Sequence, residues 1–206
     1  QGAGVYVEGS TAHFTTTAFF DNEGQTNAGA SGAALYAGPF ADVSAVSALF
    51  TDNSANNNVA VYVEQDASLQ SDNSTYAGNQ DTPLFVHSGG SASLNRNIIW
   101  DNGYPADLRG SITSYCNNTQ TSHASLPSNK ANISQDPKFI VTARGPYRLS
   151  RNSPAIDACT PGVSSRGLDG WRRGIIILPG HTLENYDMGA FETPNGLFIP
   201  LVLKNH

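Results

Sequence analysis

The sequence predicts an all-β protein folded as a parallel β-solenoid, in which short strands stack coil upon coil around one shared core. Three observations predict this fold. A strand-and-turn unit recurs about every two dozen residues in the first half of the chain, the spacing inside each unit is nearly constant, and only 14% of the residues are charged. Such units cannot bury their inward side chains alone, so neighbouring units must stack.

The repeated strands are short and rich in β-branched and aromatic residues. They begin at Val5, Leu35, Val61, Leu84 and Leu108, which are 30, 26, 23 and 24 residues apart. The variation falls in Gly- and Ala-rich insertions such as residues 23–33, which are predicted to be loops. We therefore expect strands that stack about 4.8 Å apart, with connections of variable length between coils.

One asparagine in each unit marks a predicted corner. It stands 16 or 17 residues after the aromatic ring of the preceding strand, and those rings are Tyr6, Tyr36, Tyr62 and Phe85. The asparagines are Asn22, Asn53, Asn79 and Asn102. We expect them to stack in one column, because Asn tolerates a left-handed backbone and its amide can bond to the coils above and below. Turn chemistry in a β-sandwich is the alternative, but a sandwich does not require the fixed spacing.

Composition and charge exclude other classes of protein. Low hydrophobicity with little net charge disfavours a disordered chain, and no apolar run approaches the ~20 residues of a membrane-spanning helix. Nine acids and no Lys or Arg occur up to Asn95, while all 11 basic residues follow it. The acidic half would repel phosphate and the basic half lacks a clustered patch, so we predict no nucleic-acid partner.

Two short motifs in these units resemble the repeats of chlamydial polymorphic outer membrane proteins and related bacterial right-handed β-helix proteins. Phe19–Asn22 and Phe50–Asn53 match the Phe-x-x-Asn mark of those repeats. Gly32–Leu35 and Gly2–Val5 match their Gly-Gly-Ala-Ile-type strand opening loosely. The resemblance implies a right-handed parallel β-helix.

Five ordered motifs in the second half resemble the bacterial choice-of-anchor Q domain. That pattern runs Asp-Pro-x-Phe, Tyr-x-Leu, Ser-Pro-Ala-Ile-Asp-Ala, Asp-Gly-x-x-Arg and Asp-Ile-Gly-Ala-Tyr-Glu. The matching segments are 136–139, 147–149, 153–158, 169–173 and 187–192. The resemblance implies a secreted or cell-surface β-helix protein with a variable attachment signal, and it supplies no reaction.

This resemblance divides the chain into three parts. Residues 1–115 are β-helix coils, residues 116–192 are choice-of-anchor Q-like coils with a C-terminal capping region, and residues 193–206 are an apolar tail. The chain departs from the family pattern twice. Cys159 stands where the family usually has Gly, and the apolar run Ile175–Leu178 is predicted to be an inserted strand.

The charged residues of these motifs are the candidates for chemistry. They are Asp157, Asp169, Arg173, Asp187 and Glu192. The acids could be catalytic carboxylates or calcium ligands, since hard cations prefer several oxygens. We favour a structural role, in which Asp157 caps a turn and either Asp169 or Glu192 pairs with Arg173. Ser-Pro and Asp-Gly form turns without any chemistry, so we predict no catalytic residue, metal or cofactor.

Two cysteines, Cys116 and Cys159, flank this region. In a chain that resembles exported proteins, an even number of cysteines favours one disulfide, here across a separation of 43 residues. Two unrelated buried thiols are the alternative. The sequence offers no paired Cys or His spacing of the kind that predicts a zinc site.

The end of the chain is a strand-length apolar segment. Its apolar residues are Leu197, Phe198, Ile199, Leu201, Val202 and Leu203. The segment could pack on its own chain or lie along a sheet edge of another copy. The acidic first half and the mildly basic second half would attract each other head to tail, and unclosed head-to-tail contacts make filaments.

Three functions are compatible with these features. The first is a secreted, non-catalytic structural protein that builds a surface filament or sheath by self-association through an open β-helix end and the tail. The second is a polysaccharide lyase or hydrolase, which needs acids clustered on one face. The third is a glycan-binding adhesin that uses the four aromatic rings as a stacking row. Exposure of that row would favour binding, and burial would indicate a core role.

Overall fold

The computed structural model describes residues 4–24, 32–55, 59–120, 126, 130–143, 145–170, 172–173 and 185–193. Within these residues the protein is all β, with 19 strands and no α-helix. The inserted strand predicted at residues 175–178 lies outside the described residues. No helix in the described part of the chain is long and apolar enough to cross a membrane.

Three parallel five-stranded sheets form the body of the protein. Sheet A contains β1 (Val5–Val7), β5 (Gly32–Ala37), β9 (Val59–Val63), β12 (Thr82–Val86) and β15 (Asp107–Leu108). Sheet B contains β2 (Thr11–Thr15), β6 (Asp42–Val46), β10 (Ser68–Asp72), β13 (Ser91–Asn95) and β16 (Ser111–Tyr115). Sheet C contains β3 (Ala18–Phe20), β7 (Leu49–Thr51), β11 (Thr75–Ala77), β14 (Ile98–Trp100) and β17 (Asn118–Thr119). The predicted all-β, parallel β-helix fold class is confirmed.

Each coil contributes one strand to every sheet, so the chain passes through sheets A, B and C in turn and then begins the next coil. We number the coils 1 to 5, from β1–β3 to β15–β17. Tyr6 pairs with Tyr36, Tyr36 with Tyr62, and Tyr62 with Phe85 across sheet A. The constant spacing in the sequence therefore corresponds to a constant register in the structure.

A second pairing begins inside the segment that was predicted to be a loop. β4 (Glu23–Gly24) pairs in parallel with β8 (Ser54–Ala55), beyond the corner that ends sheet C. The loop at residues 23–33 therefore starts with an ordered layer, and β5 already begins at Gly32. Backbone hydrogen bonding to the next coil extends the stack by these two residues.

Small and β-branched side chains fill the narrow core, together with one aromatic stack. Alternating residues of each strand point inward, as the pattern of buried Val43 and Ala45 in β6 illustrates. The rings of Phe19 and Phe50 stack at 4.8 Å between centroids, and those of Phe50 and Tyr76 at 4.7 Å. Because coils lie about 4.8 Å apart, equivalent rings in neighbouring coils meet face to face.

The C-terminal third departs from the regular coils. Ile133 forms a parallel bridge to Asn118, and the Cys116 N–H donates to the Lys130 carbonyl at 2.8 Å, so residues 130–135 add part of a sixth layer over coil 5. The antiparallel hairpin of β18 (Phe139–Thr142) and β19 (Gly145–Leu149) follows. Residues 153–170, 172–173 and 185–193, called the flanking segments below, then make contacts along the corner between sheets B and C.

Candidate functional site

The four predicted asparagines form one hydrogen-bonded column at the corner that follows sheet C. The Asn22 Nδ2 donates to the Asn53 Oδ1 at 2.8 Å, Asn53 donates likewise to Asn79 at 2.9 Å, and Asn79 donates to Asn102 at 2.8 Å. Each backbone N–H in the column also donates to the same oxygen of the next coil, for example from Asn53 to Asn79 at 3.1 Å. The column ties neighbouring coils together through side chains as well as backbone.

The left-handed backbone at this corner belongs to the residue before each asparagine. Those residues are Asp21, Asp52, Gly78 and Asp101, with φ of 55°, 55°, 68° and 54°. The expectation that the asparagines themselves adopt this conformation was therefore wrong. The preceding residue turns the chain, and the asparagine side chain is then free to point along the stack.

A second amide column, which the sequence did not reveal, lies at the corner between sheets B and C. Here the Ser74 N–H donates to the Asn97 Oδ1 at 2.8 Å, and the Asn97 N–H donates to the Asn117 Oδ1 at 2.9 Å. Asn117 continues the column to Asn132 in the partial sixth layer, with an N–H to Oδ1 distance of 2.8 Å. Asparagine fills the equivalent position only from coil 4 onward, so the repeat was too short to stand out.

Loss of an interior amide of the first column is expected to destabilise the fold. Asn79→Ala removes the acceptor of two Asn53 donors and the donor that reaches the Phe50 carbonyl at 3.0 Å. These groups are buried, so we expect the free energy of unfolding to fall by about 2–3 kcal/mol. Chemical denaturation monitored by circular dichroism measures the change.

The matched control for that substitution is Asn95→Ala. Asn95 is half-buried and donates its amide to the Ser93 Oγ at 3.1 Å. Its removal is expected to cost under about 1 kcal/mol. Equal losses for the two variants would show that the column adds nothing beyond an ordinary surface hydrogen bond.

The aromatic row of sheet A lies on the outer face of the sheet. Tyr6, Tyr36, Tyr62 and Phe85 stack with centroids 5.3, 5.1 and 4.8 Å apart, and the Arg109 guanidinium lies 5.2 Å from the Phe85 ring. The hydroxyls of Tyr6 and Tyr36 donate to the carboxylates of Glu8 and Glu64. Burial and the bond to Glu64 raise the pKa of Tyr36.

Ring orientation decides what this row can bind. Neighbouring ring planes differ by only 14°, 8° and 22°, so each ring covers the faces of its neighbours and turns its edge to solvent. Sugar rings stack on aromatic faces rather than on edges, because the negative π face attracts C–H groups. Arg109 covers the ring of Phe85 at one end of the row. Tyr6, at the other end, is 44% exposed and is therefore the ring of this row with a face open to solvent.

Gly78 leaves a gap in the line of acidic residues at the sheet C corner, and another segment fills it. The Tyr147 hydroxyl of β19 occupies the space where a Cβ on Gly78 would lie. Burial, together with the nearby carboxylates of Asp52 and Asp101, raises the pKa of Tyr147. The glycine thus provides the docking position for the β18–β19 hairpin.

Gly78→Ala is expected to lower the free energy of unfolding by about 2 kcal/mol, since it combines backbone strain with the loss of hairpin docking. Gly9→Ala is the matched control, because Gly9 has a similar φ of 55° and no atom within 4 Å of the added carbon. That control is expected to cost about 1 kcal/mol of backbone strain alone. Denaturation of the two variants side by side measures the difference, and equal losses would contradict the docking role of Gly78.

The five charged motif residues lie along the side of the β-helix rather than across its end. Arg173 is fully buried and donates to the Glu192 Oε2 at 3.1 Å and to the Gly189 carbonyl at 2.9 Å. It also donates to the Ser47 Oγ of coil 2 at 3.2 Å. Asp169 pairs instead with Arg148 at 2.7 Å. The structure therefore resolves the two alternatives for Arg173 in favour of Glu192.

Asp187 organises the loop that carries Glu192. Its carboxylate accepts the backbone N–H of Asp157 at 2.9 Å and that of Thr193 at 2.7 Å. Its carbonyl accepts the Asn73 Nδ2 of coil 3 at 2.9 Å. Asp157 has a left-handed φ of 49° in the turn that follows Pro154. These contacts hold the two motif segments against the corner of coils 2 to 4.

The carboxylates of Asp157, Asp187 and Glu192 offer oxygens within 4.8 Å of one another, a spacing that a calcium ion could use. Their bonding, however, gives a structural explanation. Both Asp187 oxygens accept backbone N–H groups, and Glu192 accepts from Arg173. A guanidinium inside the cluster supplies positive charge where a cation would otherwise be needed.

Asp187 makes the stability of this region depend on pH. Burial raises the pKa of Asp187 to about 6, above its ordinary value of 3.8. A raised carboxyl pKa means that the folded state binds the proton more tightly than the unfolded state, so stability increases as pH falls through about 6. We expect the denaturation midpoint to rise between about pH 7 and about pH 5. Asp187→Asn should abolish that rise, whereas the exposed Asp136→Asn should keep it.

A buried ion pair that the sequence did not predict joins coils 3 and 4. Arg96 donates to both Asp72 oxygens, at 2.7 and 2.8 Å, and the Val163 N–H donates to the same carboxylate at 3.1 Å. Arg96 also contributes its carbonyl to the Gly189 N–H. The pair therefore links the coils to both flanking segments. Asp72 and Arg96 lie 24 positions apart in the sequence, so no local motif indicated that they would pair.

The predicted disulfide is confirmed. Cys116 and Cys159 are joined, with Cα atoms 5.9 Å apart, and both residues are buried. Cys116 lies at the corner of coil 5, and Cys159 lies in the segment that runs along the side of the helix. The bond fixes the part of that segment around Cys159 to coil 5.

The predicted assembly tail, with its apolar residues from Leu197 to Leu203, lies outside the described residues. Comparisons with protein-family models, with curated proteins and with solved structures find no match to this chain. The geometry of the described residues therefore carries the functional argument.

Proposed function

We propose that the protein is a non-catalytic structural β-helix, displayed outside the cell, whose copies join end to end in a filament or sheath. The observation that carries this proposal is the edge of coil 1. Within the described residues, β1, β2 and β3 pair along one edge only, with β5, β6 and β7. Unpaired backbone groups in a row are a template for another chain.

The bonding of the charged and amide side chains supports a structural role. The asparagine columns and the buried pairs of Arg96 with Asp72 and of Arg173 with Glu192 all connect coils or fix the flanking segments. An enzyme would keep such groups available to a substrate. In this protein they stabilise the stack.

Location outside the cell is supported by the disulfide, because such bonds persist in oxidising compartments. The resemblance to choice-of-anchor Q domains points in the same direction, and we include membership of that group in the proposal. Its variable attachment signals would allow one β-helix body to be displayed in different ways.

Charge supports association between unlike ends. Coil 1 and its extension, β4, carry Glu8, Asp21 and Glu23, all exposed, whereas Lys130 is exposed on the partial sixth layer near the other end. Opposite charges favour a head-to-tail approach and disfavour contact between like ends. Association of this kind should weaken as salt screens it.

Electron microscopy and sedimentation of the purified chain test the proposal. We expect elongated assemblies that grow with protein concentration and shorten as salt is raised. Monodisperse single copies at every salt and protein concentration would contradict the assembly role. Depolymerisation of any pectin, alginate or neutral glycan by the protein would contradict the non-catalytic role.

A glycan-binding adhesin is the second candidate, and the outward position of the aromatic row favours it. Only the terminal Tyr6 offers a ring face, so binding would be confined to that end. Glycan arrays compared between the wild type and Tyr6→Ala test this function. Binding that Tyr6→Ala leaves unchanged would exclude the row as the site.

A further inference from the structure

The last asparagine of the first amide column, Asn102, is followed by Gly103. Glu, Ser and Gln follow the other three asparagines of that column, so this is its one asparagine before a glycine. Asparagine is a thermolabile residue, and a following glycine makes it most prone to deamidation, because no Cβ hinders the approach of the glycine nitrogen to the side chain. The column therefore ends at its chemically most labile position.

The fold requires both residues of this pair. A Cβ on Gly103 would lie 1.9 Å from the Gln80 carbonyl oxygen that follows coil 3, far inside van der Waals contact. The Asn102 Oδ1 accepts the Asn79 backbone N–H at 3.1 Å and the Asn79 Nδ2 at 2.8 Å. Two independent structural needs thus place a labile pair of residues at one corner of coil 4.

We propose that Asn102 is a site of spontaneous deamidation, which the folded amide column delays and which loosens the junction of coils 4 and 5 once it occurs. The reactants that the protein does not supply are water and hydroxide. The proposal does not depend on association between copies, so it stands apart from the proposed function.

The reaction begins when hydroxide removes the proton from the Gly103 amide. The nitrogen then attacks the side-chain carbonyl carbon of Asn102, a C–N bond forms, and the Nδ2 group takes up a proton and leaves as ammonia. Water opens the resulting succinimide ring at either of its carbonyls. One opening yields aspartate, and the other yields isoaspartate, in which the main chain runs through the side-chain carbon.

The groups that take part in this reaction are hydrogen-bonded in the folded protein. The nucleophile, the Gly103 N–H, donates to the Asn79 carbonyl at 2.8 Å. The leaving group, the Asn102 Nδ2, donates to the carbonyls of Tyr76 at 3.0 Å and Trp100 at 3.2 Å. The Asn102 side chain must leave the column before it can meet the Gly103 nitrogen, so the reaction requires local opening of this corner.

Either product weakens the corner. An aspartate keeps an oxygen that accepts from Asn79, but it places a second oxygen where the amide donated to the carbonyls of Tyr76 and Trp100. Oxygen then faces oxygen at a position that is only 8% exposed, and the lost bonds are not replaced by water. An isoaspartate also lengthens the main chain by one carbon, which displaces the Gly103 N–H from its acceptor. Because the chain passes from this corner to β15, the damage falls between coils 4 and 5.

Incubation of the full chain at mildly alkaline pH, with and without guanidinium, tests the site and its protection. Peptide mapping by mass spectrometry follows the conversion of each asparagine. In denaturant we expect Asn102 to convert fastest of the four in the column, and in the folded protein about 100-fold more slowly than in denaturant. Similar rates in the two states would overturn the protection by the column. Faster conversion of Asn22, Asn53 or Asn79 in denaturant would overturn the assignment of the site.

Asn102→Asp tests the consequence, with Gln120→Glu as the matched control. Both variants change an amide to a carboxylate at the same corner, but Gln120 accepts the Asp101 N–H through its Oε1 at 3.2 Å, an oxygen that glutamate keeps. We expect hydrogen exchange within residues 98–120 to rise about tenfold in Asn102→Asp and to change little in Gln120→Glu. Peptides within residues 32–55 report whether the other coils stay folded.

Equal exchange in the two variants would overturn the loosening of coils 4 and 5, because added charge alone would then explain the effect. If Asn102→Asp does not fold, the deamidated fraction of aged wild-type protein, separated by ion exchange, takes its place. That fraction should exchange faster than the unmodified fraction within residues 98–120. Identical exchange in the two fractions would overturn the consequence of the modification.

Discussion

Arg173→Met is expected to lower the free energy of unfolding by about 4 kcal/mol, the largest single effect that the structure predicts. The substitution leaves the buried Glu192 carboxylate without its partner, since the Arg173 side chain is fully buried and that of Glu192 is 6% exposed. It also removes the donor that connects this loop to Ser47 of coil 2. Chemical denaturation measures the loss.

Two companion variants make that result specific. Arg109→Met breaks an ion pair with Asp107 whose side chains are 63% and 37% exposed, so it should change the free energy of unfolding far less than Arg173→Met does. Adding Glu192→Leu to Arg173→Met removes the unpaired charge and should recover part of the loss. A small effect of Arg173→Met, equal to that of Arg109→Met, would contradict the view that this pair holds the flanking segments in place.

Removal of the disulfide is expected to cost about 3–4 kcal/mol in the loop-entropy model, because the bond closes a loop across 43 residues. A double variant with Cys116→Ser and Cys159→Ser tests this loss of stability without a reducing agent. We expect the loss to fall on the flanking segments first, so hydrogen exchange should rise within residues 153–159 and change little in coils 1 to 3.

The control for the double serine variant is reduction of the wild type, which should produce the same pattern of exchange. The serine variant should not respond to reductant. If loss of the bond instead raised hydrogen exchange equally in all coils, the disulfide would stabilise the whole stack rather than the flanking segments. If it changed nothing, the segment would be held by the charged contacts of Arg173 and Arg96 alone.

The fold could be predicted because one physical requirement repeats along the chain. Each coil must present the same side chain at the same corner, so the spacing from Tyr36 to Asn53 returns from Tyr62 to Asn79. That regularity predicted the register of sheet A and the order of the first amide column. The left-handed conformation was assigned to the wrong residue because Asp and Asn share the same turn propensity.

The side contacts could not be predicted, because they join residues far apart in sequence. The pairing of Arg173 was left open between two acids, and the structure decides it because Arg148 takes Asp169. The second amide column was missed because Ser74 stands at one of its positions. The motif region that resembles the choice-of-anchor Q domain was predicted to cap the end of the β-helix, whereas its described contacts reach back to Ser47 of coil 2.

The uniform direction of the amide columns gives the rod an electrical polarity. Every Oδ1 in the column from Asn53 to Asn102 accepts from the coil before it, so the negative oxygen ends of these amides all face the N-terminal end. Aligned peptide dipoles add in the same way along an α-helix. Rods laid side by side would therefore favour opposite directions, while rods in line would favour the same one.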